Sequence, residues 1–197
     1  MQTAILARHG ETTFNVTRLV NGDLTVDCPL TEAGEEQARR LGEQLEGEPI
    51  ELCVTSEFAR AQQTADLALD GRRVPRVVLG ELNDPIYGSF EGKLLEDYRA
   101  WAGSAPSSAE APGGGESRLA IVSRYARGLR RVLERAEDTV LVVCHSLPVA
   151  YALAARDGEP PGPRVPLVDF AHPYRFGAAE LARAVALLEG WVADPTW

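Results

Sequence analysis

The run Thr139-Val140-Leu141-Val142-Val143-Cys144 constrains the fold more than any other segment. It does not alternate apolar with polar residues, so it reads as a strand covered on both faces. Such strands sit inside parallel sheets flanked by helices. Thr3-Ala4-Ile5-Leu6-Ala7 is a second run of this kind, within a strand expected over 2–7. Glu51-Leu52-Cys53-Val54-Thr55 and the short Arg76-Val77-Val78 have strand character as well. Between them the pattern turns helical. Thr31 is expected as an N-cap, with Glu32 and Glu35 in the first turn and Ala38, Leu41 and Leu45 at helical spacing towards Gly47. Further helices are expected from a Ser56 cap to Leu69, over 93–101, along the stripe Leu119, Val122, Leu129, Val132 and Leu133, over 148–156 and over 178–190. Val165-Pro166-Leu167-Val168-Asp169-Phe170 reads as an edge strand, because it contains proline. The expected fold is α/β, a three-layer α/β/α arrangement with a mostly parallel central sheet.

The 197 residues suffice for one domain with a substantial core. Residues 103–116, mostly Gly, Pro, Ala and Ser, read as a flexible loop on the rim of that domain rather than a linker. A net charge of −9 argues against nucleic-acid binding, which leans on clustered Lys and Arg. It leaves room for an anionic substrate held by a few inward-facing arginines. No apolar run is long enough to span a bilayer, and no secretory leader is visible, so a cytoplasmic location is expected. Cys28, Cys53 and Cys144 are an odd count with no metal-binding spacing and are expected as reduced thiols. The oligomeric state is not legible; a homodimer is compatible with the sequence.

In parallel α/β sheets, ligands bind beyond the carboxyl ends of the strands. Arg8 and His9 follow the first strand, Arg60 lies in the first turns after the second, and His145 follows the strand ending at Cys144. Gly10 lets backbone approach closely. These groups suit phosphoryl transfer. A neutral imidazole can attack phosphorus. Arginine forks and a second histidine can stabilise charge on the transferring oxygens, so no metal or cofactor is required. The leaving alkoxide needs a proton, for which Glu81 and Asp84 are the candidate acids.

Six blocks in order give these residues a family context. They are Arg8-His9-Gly10-Glu11-Thr12 with Asn15, Pro29-Leu30-Thr31-Glu32-Ala33-Gly34 with Gln37-Ala38, and Ser56 to Ala65 around Arg60. Leu82-Asn83-Asp84 with Tyr87-Gly88-Ser89-Phe90-Glu91-Gly92, then Gly115-Glu116-Ser117, then Val143-Cys144-His145 complete the set. Over most of its length the chain resembles the histidine phosphatase superfamily, which includes the cofactor-dependent phosphoglycerate mutases. The resemblance implies a phosphoglycerate mutase-like fold. It implies that His9 is the phosphorylated nucleophile and that Arg8, Arg60 and His145 complete the phosphate pocket. Asn15 becomes a pocket donor or its neighbour.

The chain departs from the family pattern in three places. Asn21-Gly22 stands near the usual Gln-Gly, but in a loop about two residues longer, counted against the family's spacing. Asp84 stands where many members have Glu, and Glu81 becomes the acid if the register shifts. Ser146 follows His145 where Gly is commoner, and adds a hydroxyl donor or caps the next helix. Glu116 and Ser117 are read as a helix start, and His172 as a structural or rim residue. The expected activity is metal-independent hydrolysis of a small phosphorylated metabolite. The segment between the acid block and the second histidine is short compared with that of the mutases. A mutase, a phosphoprotein phosphatase and a non-catalytic phosphate-binding module remain the alternatives.

Overall fold

The computed structural model describes residues 1–197. Its five-stranded sheet has the order β3-β2-β4-β1-β5. The strands are β1 (Thr3–Arg8), β2 (Leu52–Thr55), β3 (Arg76–Val78), β4 (Thr139–Cys144) and β5 (Tyr174–Gly177). β1, β2, β3 and β4 run parallel, with Thr3 opposite Thr139 and Leu52 opposite Val140. β5 alone is antiparallel, pairing with the free edge of β1. The α/β/α expectation holds.

The two-sided burial of the central strands explains their continuous hydrophobicity. Ala4, Leu6, Val140, Val142 and Leu52 face one core cluster, while Ile5, Ala7, Leu141, Val143 and Cys53 face another. The first face is covered by α5 (Arg118–Leu133), α6 (Ser146–Arg156) and α7 (Ala178–Ala193). The second is covered by α2 (Glu32–Gln44) and α3 (Ala59–Ala68). Two smaller helices, α1 (Thr13–Val16) and α4 (Leu95–Ala102), lie at the carboxyl ends of the strands, where Tyr87, Tyr98 and Val20 form a third cluster. No helix is long and apolar enough to cross a membrane. All three cysteines are buried and free.

Two local expectations fail. Residues 165–170 form no edge strand; Phe170 makes one isolated bridge to Arg8, and the edge position belongs to β5. The open flank of β1 recruits Tyr174–Gly177, burying Phe176 while leaving Arg175 outside. Ser56 does not cap α3 either. Phe58 is the N-cap residue and has no polar atom to cap with, while the Ser56 hydroxyl is committed to His145.

Candidate active site

β1 delivers Arg8 and His9 to the carboxyl edge of the sheet, and the turn that follows locks the His9 ring. Nδ1 of His9 lies 2.7 Å from the Gly10 carbonyl oxygen. A carbonyl only accepts, so Nδ1 carries the proton and Nε2 carries the lone pair. Gly10 allows the close backbone approach that the sequence suggested. A Cβ on it would stand 2.3 Å from the Gly34 carbonyl oxygen. The close approach is to α2. Thr31 and Gln37 complete that seat by bonding the Glu11 carboxylate and the Glu11 N–H. The second sequence block is thus the cradle of the first.

Arg60, on the first turn of α3, is held on all sides. Its Nε donates to His9 Nε2 at 3.3 Å and its Nη1 to Asn21 Oδ1 at 2.8 Å. Its Nη2 donates to the Asn21 carbonyl at 3.0 Å and to Asp84 Oδ2 at 2.8 Å. The guanidinium lies 4.0 Å above the Phe58 ring. Asp84 Oδ2 also lies 3.2 Å from His145 Nδ1. His145 Nε2 in turn meets the fully buried Ser56 hydroxyl at 2.8 Å. Ser56 is a site residue that sequence reasoning assigned to a helix cap. Its position at the end of β2 was the available signal, the same one that marked His9 and His145.

The structure sorts the remaining candidates. Asn15 Oδ1 accepts from both the Thr12 N–H and the Thr12 hydroxyl, so its amide nitrogen is the group presented to the cavity it lines. Ser146 lines the same cavity, but its hydroxyl accepts from the Val168 N–H at 3.1 Å; the N-cap of α6 is His145. Gly22 is not on the cavity wall. A Cβ there would stand 1.8 Å from the Pro85 carbonyl oxygen, and its N–H donates to Glu91. Glu81 faces away and pairs with Arg131 at 2.7 Å, whereas Asp84 faces His9 and His145. His172 is exposed and edge-on to Tyr174.

Arg124, which nothing in the sequence singled out, holds the Asp84 loop. It makes a two-pronged pair with Glu116, at 2.9 and 2.7 Å. It also donates to the carbonyls of Glu81, Asn83 and Asp84. Glu116 reaches back to the Ile86 N–H. The role of the Gly115-Glu116-Ser117 signature is therefore double: Ser117 caps α5 and Glu116 braces the loop that carries Asp84.

Burial lowers the pKa of His9 well below that of a free imidazole, and Arg60, His145 and Arg8 push it further. The lowered value favours the neutral ring at pH 7. His145 is also lowered, by burial first, with Asp84 opposing and Arg60 and Arg8 reinforcing. Arg8 is lowered to about 10 by burial and still carries its charge. For Asp84 burial acts upward, but His145, Arg60 and His9 together outweigh it and hold the carboxyl well below the usual range. His9, Asp84 and His145 could present ligand atoms within 4.8 Å of one another. The Arg60 guanidinium bonds His9 and Asp84 and lies 3.5 Å from His145 Nδ1, so a fixed positive charge already stands among the three.

The cavity has a volume of about 650 Å³, in the range of small-molecule sites. Phe14, Leu95, Tyr98, Leu147 and Leu167 add an apolar wall beside the charged floor.

Comparison with known proteins identifies the chain's family. The histidine phosphatase superfamily (branch 1) matches residues 4–166. The adenosylcobalamin/alpha-ribazole phosphatase of Escherichia coli K12 is 34% identical over 164 residues, covering 79% of each chain. A 2,3-bisphosphoglycerate-dependent phosphoglycerate mutase of Methylobacterium is 33% identical over 168 residues, covering 78% of this chain and 80% of that one. The crystal structure of the alpha-ribazole phosphatase of Shigella flexneri aligns with a TM-score of 0.72 at 29% identity, over 88% of this chain and 89% of that one. The chain belongs to branch 1 of the histidine phosphatase superfamily.

Proposed function

We propose that the protein hydrolyses a small phosphate monoester through a phosphohistidine on His9 Nε2. The carrying observation is the His9 Nδ1 bond to the Gly10 carbonyl. It fixes the one tautomer whose lone pair faces Arg60 and the cavity. The phosphoryl group would enter among Arg8, Arg60, His145 and the Asn15 amide. Arg8 supports this reading through its buried Nε, which has no partner. In-line attack by Nε2 forms the N–P bond and breaks the ester P–O bond. Arg8 and Arg60 stabilise charge on the equatorial oxygens.

Asp84 is proposed as the acid that protonates the leaving oxygen. In the free site it is ionised against Arg60 and His145. An arriving phosphate competes for Arg60 and for the His145 ring, so the Asp84 carboxyl rises and can take up the proton brought by an ester monoanion. In the second step the Asp84 carboxylate accepts a proton from water, which attacks phosphorus and releases phosphate and free His9.

The phosphatases among the relatives support hydrolysis, and an α-ribazole phosphate belongs in any substrate screen. The test is a panel of phosphate esters with wild type and His9→Ala in parallel, with EDTA present. Turnover and an acid-labile phosphoenzyme, both absent in His9→Ala, are expected. Turnover surviving in His9→Ala overturns the mechanism. Fast interconversion of phosphoglycerates with negligible hydrolysis assigns the chain to the mutases instead.

A further inference from the structure

Three arginines in the same cavity are unused by the chemistry above. Arg99 on α4, Arg118 at the start of α5 and Arg164 line its wall together with Tyr98, Leu147 and Leu167. The cavity's carboxylates do not neutralise them. Asp84 is taken by Arg60 and His145, and Glu96 is exposed on the rim. Arg118 is only 9% exposed, and its Nε is buried without a hydrogen-bond partner. Its guanidinium carbon lies 5.7 Å from the Tyr98 ring centroid. Arg99 has only a long 3.5 Å bond to the Val165 carbonyl. Arg164 approaches Gly103 and the end of α4, so the three converge around that helix. A buried guanidinium with an idle donor is costly unless an anion meets it. The charge of one phosphate monoester is already answered by Arg8 and Arg60.

We infer that the substrate carries a second anionic group, a carboxylate or a further phosphate, which Arg118, Arg99 and Arg164 bind on the α4–α5 side of the cavity. The inference rests on the phosphatase reading and narrows its substrate class to esters with two anionic ends. The apolar residues Leu95, Tyr98, Leu147 and Leu167 would cover the carbon skeleton between them. Guanidinium forks match both anions, and each well-made charged hydrogen bond in a sheltered site is worth on the order of tenfold in affinity or more.

The test uses matched pairs that differ by one anionic group: glycerol 3-phosphate against 3-phosphoglycerate, and fructose 6-phosphate against fructose 1,6-bisphosphate. The first pair probes a carboxylate, the second a phosphate. The readout is the ratio of kcat/KM within a pair. Wild type is expected to favour the second member of at least one pair by tenfold or more. Arg118→Gln should bring that ratio towards one, and Arg164→Gln, at an exposed side chain that cannot threaten folding, should lower it in the same direction. A wild-type ratio near one in both pairs overturns the inference. So does a ratio that both variants leave unchanged, including the case where both members fall together because the arginines serve the transferring phosphate. If no ester is hydrolysed, the phosphatase reading fails by itself. The same ratio is then read as dissociation constants by titration calorimetry with the four compounds, with the same outcomes deciding.

Discussion

Replacing Arg124 with methionine removes the brace behind Asp84 while leaving every cavity-lining side chain in place. The wild-type arginine satisfies the carbonyls of Glu81 and Asn83 at 3.0 and 2.8 Å, with a weak 3.4 Å contact to that of Asp84. At about 1 kcal/mol for each good bond, their loss costs about 2 kcal/mol. The carboxylate of Glu116 is orphaned at the same time. Both partners are less than a fifth exposed, which points to the buried-pair regime, but Glu116 keeps the Ile86 N–H, so about 2 kcal/mol is assigned to it. The total of about 4 kcal/mol corresponds to a melting temperature lower by roughly 10 °C for a domain of this size. Calorimetry and urea unfolding measure it. The double variant Arg124→Met/Glu116→Gln should recover part of the loss by removing the stranded charge. A looser Asp84 loop should also slow esters with poor leaving groups, such as glycerol 3-phosphate, by tenfold or more, while p-nitrophenyl phosphate, whose leaving group needs little protonation, changes much less. A stability loss below about 1 kcal/mol, or equal slowing of both esters, refutes the bracing role.

Stability should fall as pH drops below about 6.5, because His9 and His145 are lowered in the folded protein and protonate more readily when unfolded. The slope is at most about 1.4 kcal/mol per pH unit for each histidine, and urea midpoints of His9→Asn should show a shallower slope than wild type. For alkyl esters, kcat/KM should decline above about pH 6, where the ester dianion replaces the monoanion that brings Asp84 its proton; a flat profile to pH 8 contradicts this. Gly22→Ala should destabilise the fold and slow turnover together, since its Cβ would drive into the Pro85 carbonyl beside Asp84; wild-type melting and kcat would refute that account. Ser56→Ala should lower kcat more than it raises KM, by freeing the His145 ring to rotate; an unchanged kcat removes Ser56 from the site.

The central sheet was legible because β1, β2 and β4 are buried on both faces, and that burial writes itself as unbroken apolar runs. β5 was not, since its strand character comes from the free edge of β1 rather than from its own four residues, of which only Phe176 is buried. His9, Arg60 and His145 announced themselves by standing after strands. Asp84 was narrowed but not separated from Glu81, because three residues of loop decide which carboxylate turns inward. Arg124 was invisible for the opposite reason. It sits in a helix that also carries Arg118, Arg127, Arg130 and Arg131, and only its carbonyl partners more than forty residues earlier in the chain set it apart from Arg131. Local rules misplaced Ser56 for the same cause: a hydroxyl before a helix caps it unless something distant claims it first.

Asp84 spans Arg60 and His145, so a tethered anion already stands where the proposed phosphoryl group would enter. That carboxylate is present at an effective concentration on the order of millimolar or above. Inorganic phosphate left by hydrolysis must hold its place against a competitor that never diffuses away. On the proposed mechanism that competition acts on ester and phosphate alike, so the contact that keeps Arg60 in place also limits how tightly either is held.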